Sequence, residues 1–211
     1  MTKITLVNQS NTVNTVTVTY FSQAGVQVGS PHTFVIQPFG TARDATDEAN
    51  RFNATATTEW AVVTSSAAAG VNLFFEFMDS PTARLVVNTV GFNAAPELGA
   101  FTVPVEHEPG IGGGIGRTMG FAIANRNASA ANITVSLLDN QGAVMATHAL
   151  TLGANSQTTF GVDTLSEFAA VLPASNFIGS VVVTSSLPVA AIALEDDLGP
   201  FSATPVISGR P

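Results

Sequence analysis

The feature that most constrains this chain is a five-residue sequence, Val-Val-Thr-Ser-Ser, that occurs twice. It fills residues 62–66 and again residues 182–186, 120 positions later in a chain of 211 residues. Self-similarity at a long interval is the sequence signature of a duplicated structural unit, because each copy forms the same arrangement of elements. We therefore expect two copies of one unit.

The residues before each copy of this sequence also match, at a constant offset of 117. Residues 133–138 repeat the pattern of residues 16–21, and residues 139–142 repeat the turn-like residues 22–25, with both glycines aligned. Strands, turns and glycines that align together favour duplication over chance.

The alternation in the first copy indicates the fold class. Val16, Val18 and Tyr20 alternate with threonines, and a period of two in β-branched and aromatic residues predicts a half-buried strand. Short strands recur along the chain between polar turns, about every 8–12 residues, which is typical of antiparallel sandwiches. We predict an all-β protein made of two tandem antiparallel β-sandwich domains.

The junction between the copies lies near the middle of the chain. Residues 93–99, which include a proline, have the composition of a connection. We therefore expect one domain in residues 1–98 and a second, ending in a strand-like tail, in residues 99–211. A helical pattern is visible in residues 164–171, enough for about two turns.

The second copy starts with a strand-like segment that the first copy lacks. Residues 101–105 (Phe-Thr-Val-Pro-Val) have no counterpart before Ile4, and the tail, residues 201–211, begins after Gly-Pro much as residue 101 follows Gly-Ala. The tail thus resembles the opening of a third copy. Since an open sheet edge is a template for pairing, we predict self-association through edge strands or the tail, within one chain or between chains.

Charge and cysteine content exclude several functional classes. The chain has 7 basic and 15 acidic residues, a formal net charge of −8, and Lys3 as its only lysine, so it has no basic patch for nucleic acid. The absence of cysteine excludes disulfides and thiolate metal sites. Residues 177–194 are the longest apolar stretch, but serine, threonine and proline interrupt them. We therefore expect no membrane insertion.

Three acidic clusters are candidate cation sites. In Glu106-His107-Glu108, a strand would place His107 on the face opposite the two carboxylates. Residues 195–197 end an apolar strand without the spacing of an EF-hand loop, and residues 44–48 belong to the most charged stretch of the chain. Charged strand ends and a solvated loop or short helical turn are the preferred interpretations, and we predict no metal site and no cofactor.

No motif for catalysis or phosphate binding is present. The glycine-rich residues 110–117 lack the Lys-Ser/Thr pair of a P-loop and read as a flexible connection. His32, His107 and His148 are not accompanied by a serine in a nucleophile-elbow motif. We therefore predict no catalytic residues and a protein that is not an enzyme.

Trp60 and Tyr20, the single tryptophan and the single tyrosine, fall in strands that we expect to direct them into the core rather than onto a sugar-binding surface. Residues 1–6 lead directly into a strand pattern without the apolar segment of a signal peptide. We interpret the sequence as a mature or trimmed form of an exported protein.

Residues 121–125, followed by residues 133–138 and 139–144, resemble repeats in uncharacterised secreted bacterial proteins with Ig-like sandwich modules. The resemblance spans most of both halves, and residues 44–52 and the missing opening strand depart from it. The resemblance implies that the two tandem domains are Ig-like and that the protein is extracellular or at the cell surface. We predict a non-enzymatic structural or adhesive module, with a filament subunit assembled by strand exchange from the tail as one form. The alternative is a carbohydrate- or protein-binding accessory module of a secreted protein.

Overall fold

The computed structural model describes residues 2–45, 60–78, 86–110, 116–197, 201–204 and 206–209. Within these residues the protein is nearly all β, with antiparallel sheets and one short helix. The prediction of an antiparallel all-β sandwich is confirmed at this level. The chain divides into two compact units, Met1–Ala94 and Ala95–Pro211.

The elements of each unit follow one another in chain order. The first unit contains β1 (Thr2–Asn8), β2 (Asn14–Phe21), β3 (Gln27–Ile36), β4 (Thr41–Ala45), β5 (Trp60–Ser65), β6 (Ala69–Met78) and β7 (Val86–Asn93). The second unit contains β8 (Glu97–His107), β9 (Arg117–Asn125), β10 (Ala131–Asp139), β11 (Val144–Leu152), β12 (Ser156–Gly161), α1 (Ser166–Ala169), β13 (Phe177–Asp197), β14 (Phe201–Thr204) and β15 (Ile207–Ser208).

Two antiparallel sheets enclose the core of the first unit. One has the strand order β4-β1-β6-β7 and the other has the order β3-β2-β5. Successive residues of a strand point to opposite faces, so each strand buries alternate side chains. The buried core positions on β1 and β2 are Ile4, Leu6, Val16, Val18 and Tyr20. Burying one large aliphatic side chain stabilises the fold by about 1.5–3 kcal/mol, which makes this alternation the main source of stability.

One strand, β13, belongs to both sheets of the second unit. It is 21 residues long. Its first part pairs with β10 and β8, and its last part pairs with β9 and β14. The two sheets therefore have the orders β11-β10-β13-β8-β15 and β12-β9-β13-β14. In this arrangement β13 alone takes the places that β5 and β6 share in the first unit.

The repeated five-residue sequence holds the same register in both units. Val63 of β5 pairs with Val18 of β2, and Val183 of β13 pairs with Val135 of β10. Val18 and Val135 are themselves separated by the offset found in the sequence. The two copies therefore correspond residue by residue in their pairing as well as in their sequence.

The predicted hairpin turns also have the same geometry. The N–H of Gly25 donates to the carbonyl of Ser22 at 2.9 Å, and the N–H of Gly142 donates to that of Asp139 at 3.1 Å. The two glycines have φ angles of 80° and 82°. This left-handed conformation favours glycine because it has no Cβ, so the prediction of turns at both places is confirmed.

The additional segment of the second copy, residues 101–105, forms the middle of β8. Phe101, Val103 and Val105 are buried in the core of the second unit, where Val103 pairs with Val181 and Phe101 pairs with Val183. In the first unit, β5 pairs with β2, and no strand that the structure describes lies on its other side. The sequence prediction of an extra strand in the second copy is confirmed.

The tail lies in the second unit. β14 pairs with the last part of β13, as β7 pairs with β6, and β15 pairs with β8. Residues 201–204 therefore correspond to the closing strand of the first unit, and interpreting them as the opening of a third copy is wrong. The Gly-x-Phe sequence shared by residues 99–101 and 199–201 was misleading, because three residues do not specify which strand a segment pairs with.

The connection between the units lies slightly before the expected one. The units divide after Ala94, whereas the sequence placed the boundary between residues 98 and 99. β8 already begins at Glu97, where it pairs with Ala190. Backbone pairing thus extends the strand beyond the apolar residues from which it was recognised.

Candidate functional site

A buried carboxylate in the first unit is the centre of a polar cluster whose members come from three strands. Asp44 on β4 has no exposed surface. Its Oδ2 accepts a hydrogen bond from the Tyr20 hydroxyl at 3.0 Å and lies 2.7 Å from Nδ1 of His32. Its Oδ1 accepts the backbone N–H of Ala45 at 3.0 Å. We call Tyr20, His32 and Asp44 the inter-sheet cluster.

The inter-sheet cluster joins the two sheets of the first unit. Tyr20 and His32 are on β2 and β3 of one sheet, and Asp44 is on β4 of the other. Burying a carboxylate is costly unless hydrogen bonds satisfy it, and here a hydroxyl, an imidazole and an amide do so. The Tyr20 and His32 rings also meet edge to face, with centroids 5.7 Å apart. The arrangement stabilises the contact between the sheets.

The chemistry available to this cluster is limited by its burial. A carboxylate bound to Nδ1 of a histidine is the base-and-orienter pair of hydrolytic triads. The hydroxyl on the same carboxylate, however, belongs to Tyr20, which is only 2% exposed. A nucleophile must contact its substrate, so this tyrosine does not complete a triad, and the geometry favours a structural role.

The second unit keeps the histidine but changes its surroundings. His148 pairs with Val135 as His32 pairs with Val18, and its Nδ1 lies 3.1 Å from Oε1 of Glu167 on α1. The pKa of Glu167 is lowered by a hydrogen bond from its own backbone N–H and then by bonds from His148 and Ser166. The histidine–carboxylate pair is therefore a surface contact in this unit.

Two buried asparagines hold the equivalent loop in each unit. Asn8 and Asn125 are both 0% exposed. Nδ2 of Asn8 lies 2.7, 3.2 and 3.0 Å from the carbonyls of Thr12, Ile36 and Gln37. Its Oδ1 accepts the N–H of Ser10 at 3.0 Å. One side chain thus satisfies backbone groups of two separate loops.

The contacts of Asn125 repeat those of Asn8, with partners that are 116 or 117 residues further along the chain. Its Nδ2 lies 2.9, 3.1 and 2.8 Å from the carbonyls of Ser129, Leu152 and Gly153. Its Oδ1 accepts the N–H of Asn127 at 3.0 Å. Asn8 and Asn125 are 117 residues apart, and the identity of the two residues at this offset is the sequence signal that marks their role.

Three of the acidic residues considered as cation ligands surround one arginine. The guanidinium of Arg117 lies 2.6 Å from Glu106, 3.1 Å from Glu195 and 3.2 Å from Asp197. The hydrogen bonds that Arg117 donates to Glu106 and Asp197, together with the charges of Asp197 and Glu195, raise the pKa of Arg117. Three of the candidate carboxylates are thus engaged in ion pairs within the second unit.

The remaining cation candidates are dispersed. Glu108 accepts a hydrogen bond from Asn176 at 2.5 Å, and across the described ranges no three histidine or acidic side chains converge as metal ligands would. Asp44 belongs to the inter-sheet cluster, and residues 46–48 of the same charged stretch lie outside the described residues.

Most of the predicted glycine-rich connection, residues 111–115, also lies outside the described residues.

The two predicted inward aromatics have different positions. Tyr20 is buried, as predicted, but Trp60 stacks on Phe21 with ring centroids 4.7 Å apart. Phe21 alternates with the buried residues of β2 and so lies on the outer face of the sheet. The prediction that Trp60 points inward is wrong, because the core-facing residues of β5 are Ala61 and Val63.

Comparison with known proteins identifies no family. No protein-family pattern and no curated protein sequence matches the chain. Among solved structures, it is similar to the Anabaena sensory rhodopsin transducer at 15% identity and a TM-score of 0.39, over 47% of this chain and 89% of that chain. It is also similar to the infectious bursal disease virus VP2 subviral particle at 11% identity and a TM-score of 0.27, over 92% of this chain and 55% of that chain.

The sequence identities and TM-scores of these structures are too low to carry an argument about function.

In the part of the chain that the structure describes, we find no helix with the length and apolarity needed to cross a membrane.

Proposed function

We propose that the protein is a non-enzymatic structural or adhesive module of an extracellular or cell-surface assembly, built from two tandem Ig-like β-sandwich domains. The observation that carries the proposal is what the two units have in common. They share the strand order, the glycine turns and the buried asparagines, all of which support the scaffold. The inter-sheet cluster is not repeated, since the position of Tyr20 is taken by the buried Leu137.

The Ig-like description is supported by layer composition. In its described residues the first unit has four strands in one antiparallel sheet and three in the other, which is the division found in constant-type immunoglobulin domains. The connectivity differs, because β1 and β2 follow each other in the chain but belong to different sheets. The proposal therefore concerns a sandwich of Ig-like size and layering.

The structural role is tested by the assembly state of the purified full chain. We expect negative-stain imaging and solution mass to show regular fibres or a discrete oligomer, because the first unit presents an edge strand. A monomer at every concentration would contradict assembly by this chain alone. Location is tested separately by fractionating the source cells, and recovery in the cytosol would overturn the extracellular assignment.

The second candidate function is a carbohydrate-binding accessory module. It is favoured by the stacked pair of Trp60 and Phe21, which is half-buried on the outer face of its sheet. Exposed aromatic faces suit binding to sugar rings. A glycan array with several hits that Trp60→Ala removes and Trp60→Phe retains would support this candidate, and an array without hits would contradict it.

A further inference from the structure

The second unit shows how one edge of the repeated fold is completed. β8 pairs with the first part of β13 from Phe177 opposite His107 to Thr184 opposite Ala100. Its inward residues, Phe101 and Val103, are 1% and 0% exposed. In this unit the strand that carries the repeated sequence is therefore covered by an additional strand with buried apolar residues at the alternate positions 101, 103 and 105.

The corresponding edge in the first unit is β5. Ala61 and Val63 hold the places of Val181 and Val183, as their pairing with β2 and β10 shows. Val181 and Val183 are both 0% exposed, whereas Ala61 and Val63 are half-buried. The core beneath this edge is thus less well covered in the first unit than in the second.

The backbone of β5 is oriented to receive a strand. The N–H of Ser66 donates to the carbonyl of Thr15 at 3.0 Å. Because hydrogen-bonding groups alternate in direction along an antiparallel strand, those of Ala61 and Val63 point away from β2. These are the residues whose counterparts in β13 face β8.

The two edge strands of the β3-β2-β5 sheet, β3 and β5, are protected differently against pairing with other strands. β3 contains Gly29, with a φ of 69°, and Pro31, and its pairing with β2 is interrupted by a register shift. Proline and irregular pairing are devices by which proteins prevent unwanted pairing at an edge. β5, with the sequence Trp-Ala-Val-Val-Thr-Ser, has neither proline nor charge.

We infer that the outer edge of β5 binds an extended strand from another molecule, in which an aromatic residue and a valine alternate as Phe101 and Val103 do in β8. The aromatic residue would lie opposite Val63 and the valine opposite Ala61. Backbone hydrogen bonds would give the affinity and the alternate side chains the specificity. This inference rests on the proposed structural function and specifies the surface and the partner's chemistry.

The inference is tested with a synthetic peptide of residues 97–107, which contains the whole of β8. Trp60, the only tryptophan, is the first residue of β5 and reports binding through its fluorescence in the full chain. We expect a saturable change in emission. A control peptide carrying Phe101→Ser and Val103→Ser should bind at least about tenfold more weakly, a difference of about 1.4 kcal/mol.

Ala61→Pro provides the matched change in the protein. Proline at this position removes an N–H that points to the outer edge and leaves the pairing with β2 in place, so we expect it to abolish the response to the peptide. Circular dichroism establishes whether this variant is folded. If it is not, the comparison of the two peptides decides.

No saturable response, or equal binding of both peptides, would overturn the inference. If fibres of the full chain form nevertheless, the proposed structural function stands and assembly uses another surface. If the chain associates without added peptide and Ala61→Pro prevents this, a second copy supplies the strand and the inference is supported.

Discussion

Replacing Asn8 by alanine should destabilise the first unit by about 3 kcal/mol. The side chain is fully buried, its Nδ2 reaches three carbonyls and its Oδ1 accepts one N–H. An amide nitrogen has two hydrogens, so the side chain makes about three effective hydrogen bonds, each with a net value of about 1 kcal/mol. Alanine would also leave the buried carbonyl of Ile36 without this donor.

The assay is urea unfolding followed by Trp60 fluorescence, which reports on the unit that contains Asn8. With a slope of about 1.5 kcal/mol per molar urea, a loss of 3 kcal/mol lowers the midpoint by about 2 M. Asn8→Asp retains the size of the side chain but replaces the donor with a carboxylate facing three carbonyls. We expect it to destabilise at least as strongly.

Two matched controls separate this role from general effects. Asn11→Ala, at an exposed position in the same loop, should change the free energy of unfolding by less than about 0.5 kcal/mol. Asn125→Ala should destabilise the second unit, as seen by circular dichroism, with little change in the Trp60 transition. A loss below about 1 kcal/mol for Asn8→Ala, or a similar loss for Asn11→Ala, would refute the reasoning.

Three further predictions concern single contacts. Tyr20→Phe should cost about 1.5–3 kcal/mol in urea unfolding, because it removes a hydroxyl donor to a buried carboxylate; an unchanged midpoint would contradict this. Phe39→Asn should raise the stability of the first unit by up to about 1 kcal/mol. Phe39 is 69% exposed and has a φ of 56°, whereas Asn155 holds the equivalent turn of the second unit at a φ of 51°. A lower midpoint of urea unfolding would show that the phenyl ring contributes more than its backbone strain costs. The pKa of Glu167 should lie below the ordinary value of a glutamate in an NMR titration, mainly because its own backbone N–H donates to the carboxylate. The stability from its contacts should therefore be present above the unfolded pKa and be lost as the pH falls through the lowered folded value, so His148→Ala should lower the melting temperature at neutral pH and have no effect in acid.

Local patterns predicted the parts of this fold that depend on local chemistry. The alternation around Val16 and the glycines at positions 25 and 142 specify a strand and two turns because face alternation and positive φ are properties of short segments. The repeated Val-Val-Thr-Ser-Ser predicted a duplicated unit because equivalent residues take equivalent pairing partners.

The partners of buried polar residues were not predictable in this way. Asp44, which lies on β4, was assigned with its charged neighbours to a solvated loop or short helical turn, since its partners, Tyr20 and His32, come from two other strands. The position of Trp60 was missed for a similar reason. Whether a half-buried aromatic faces inward depends on the register of its strand, and the neighbouring valines of β5 fit either face equally well.

The unbroken course of β13 through both sheets has a mechanical consequence. In the first unit, residues 66–68 connect β5 in one sheet to β6 in the other. A pull on that connection can separate the layers by lengthening an irregular segment. In the second unit the same connection is part of a 21-residue strand, with a contour length of about 70 Å. Tension along it loads the pairings with β8, β9, β10 and β14 together in shear, and the second unit should therefore be the stiffer element under force.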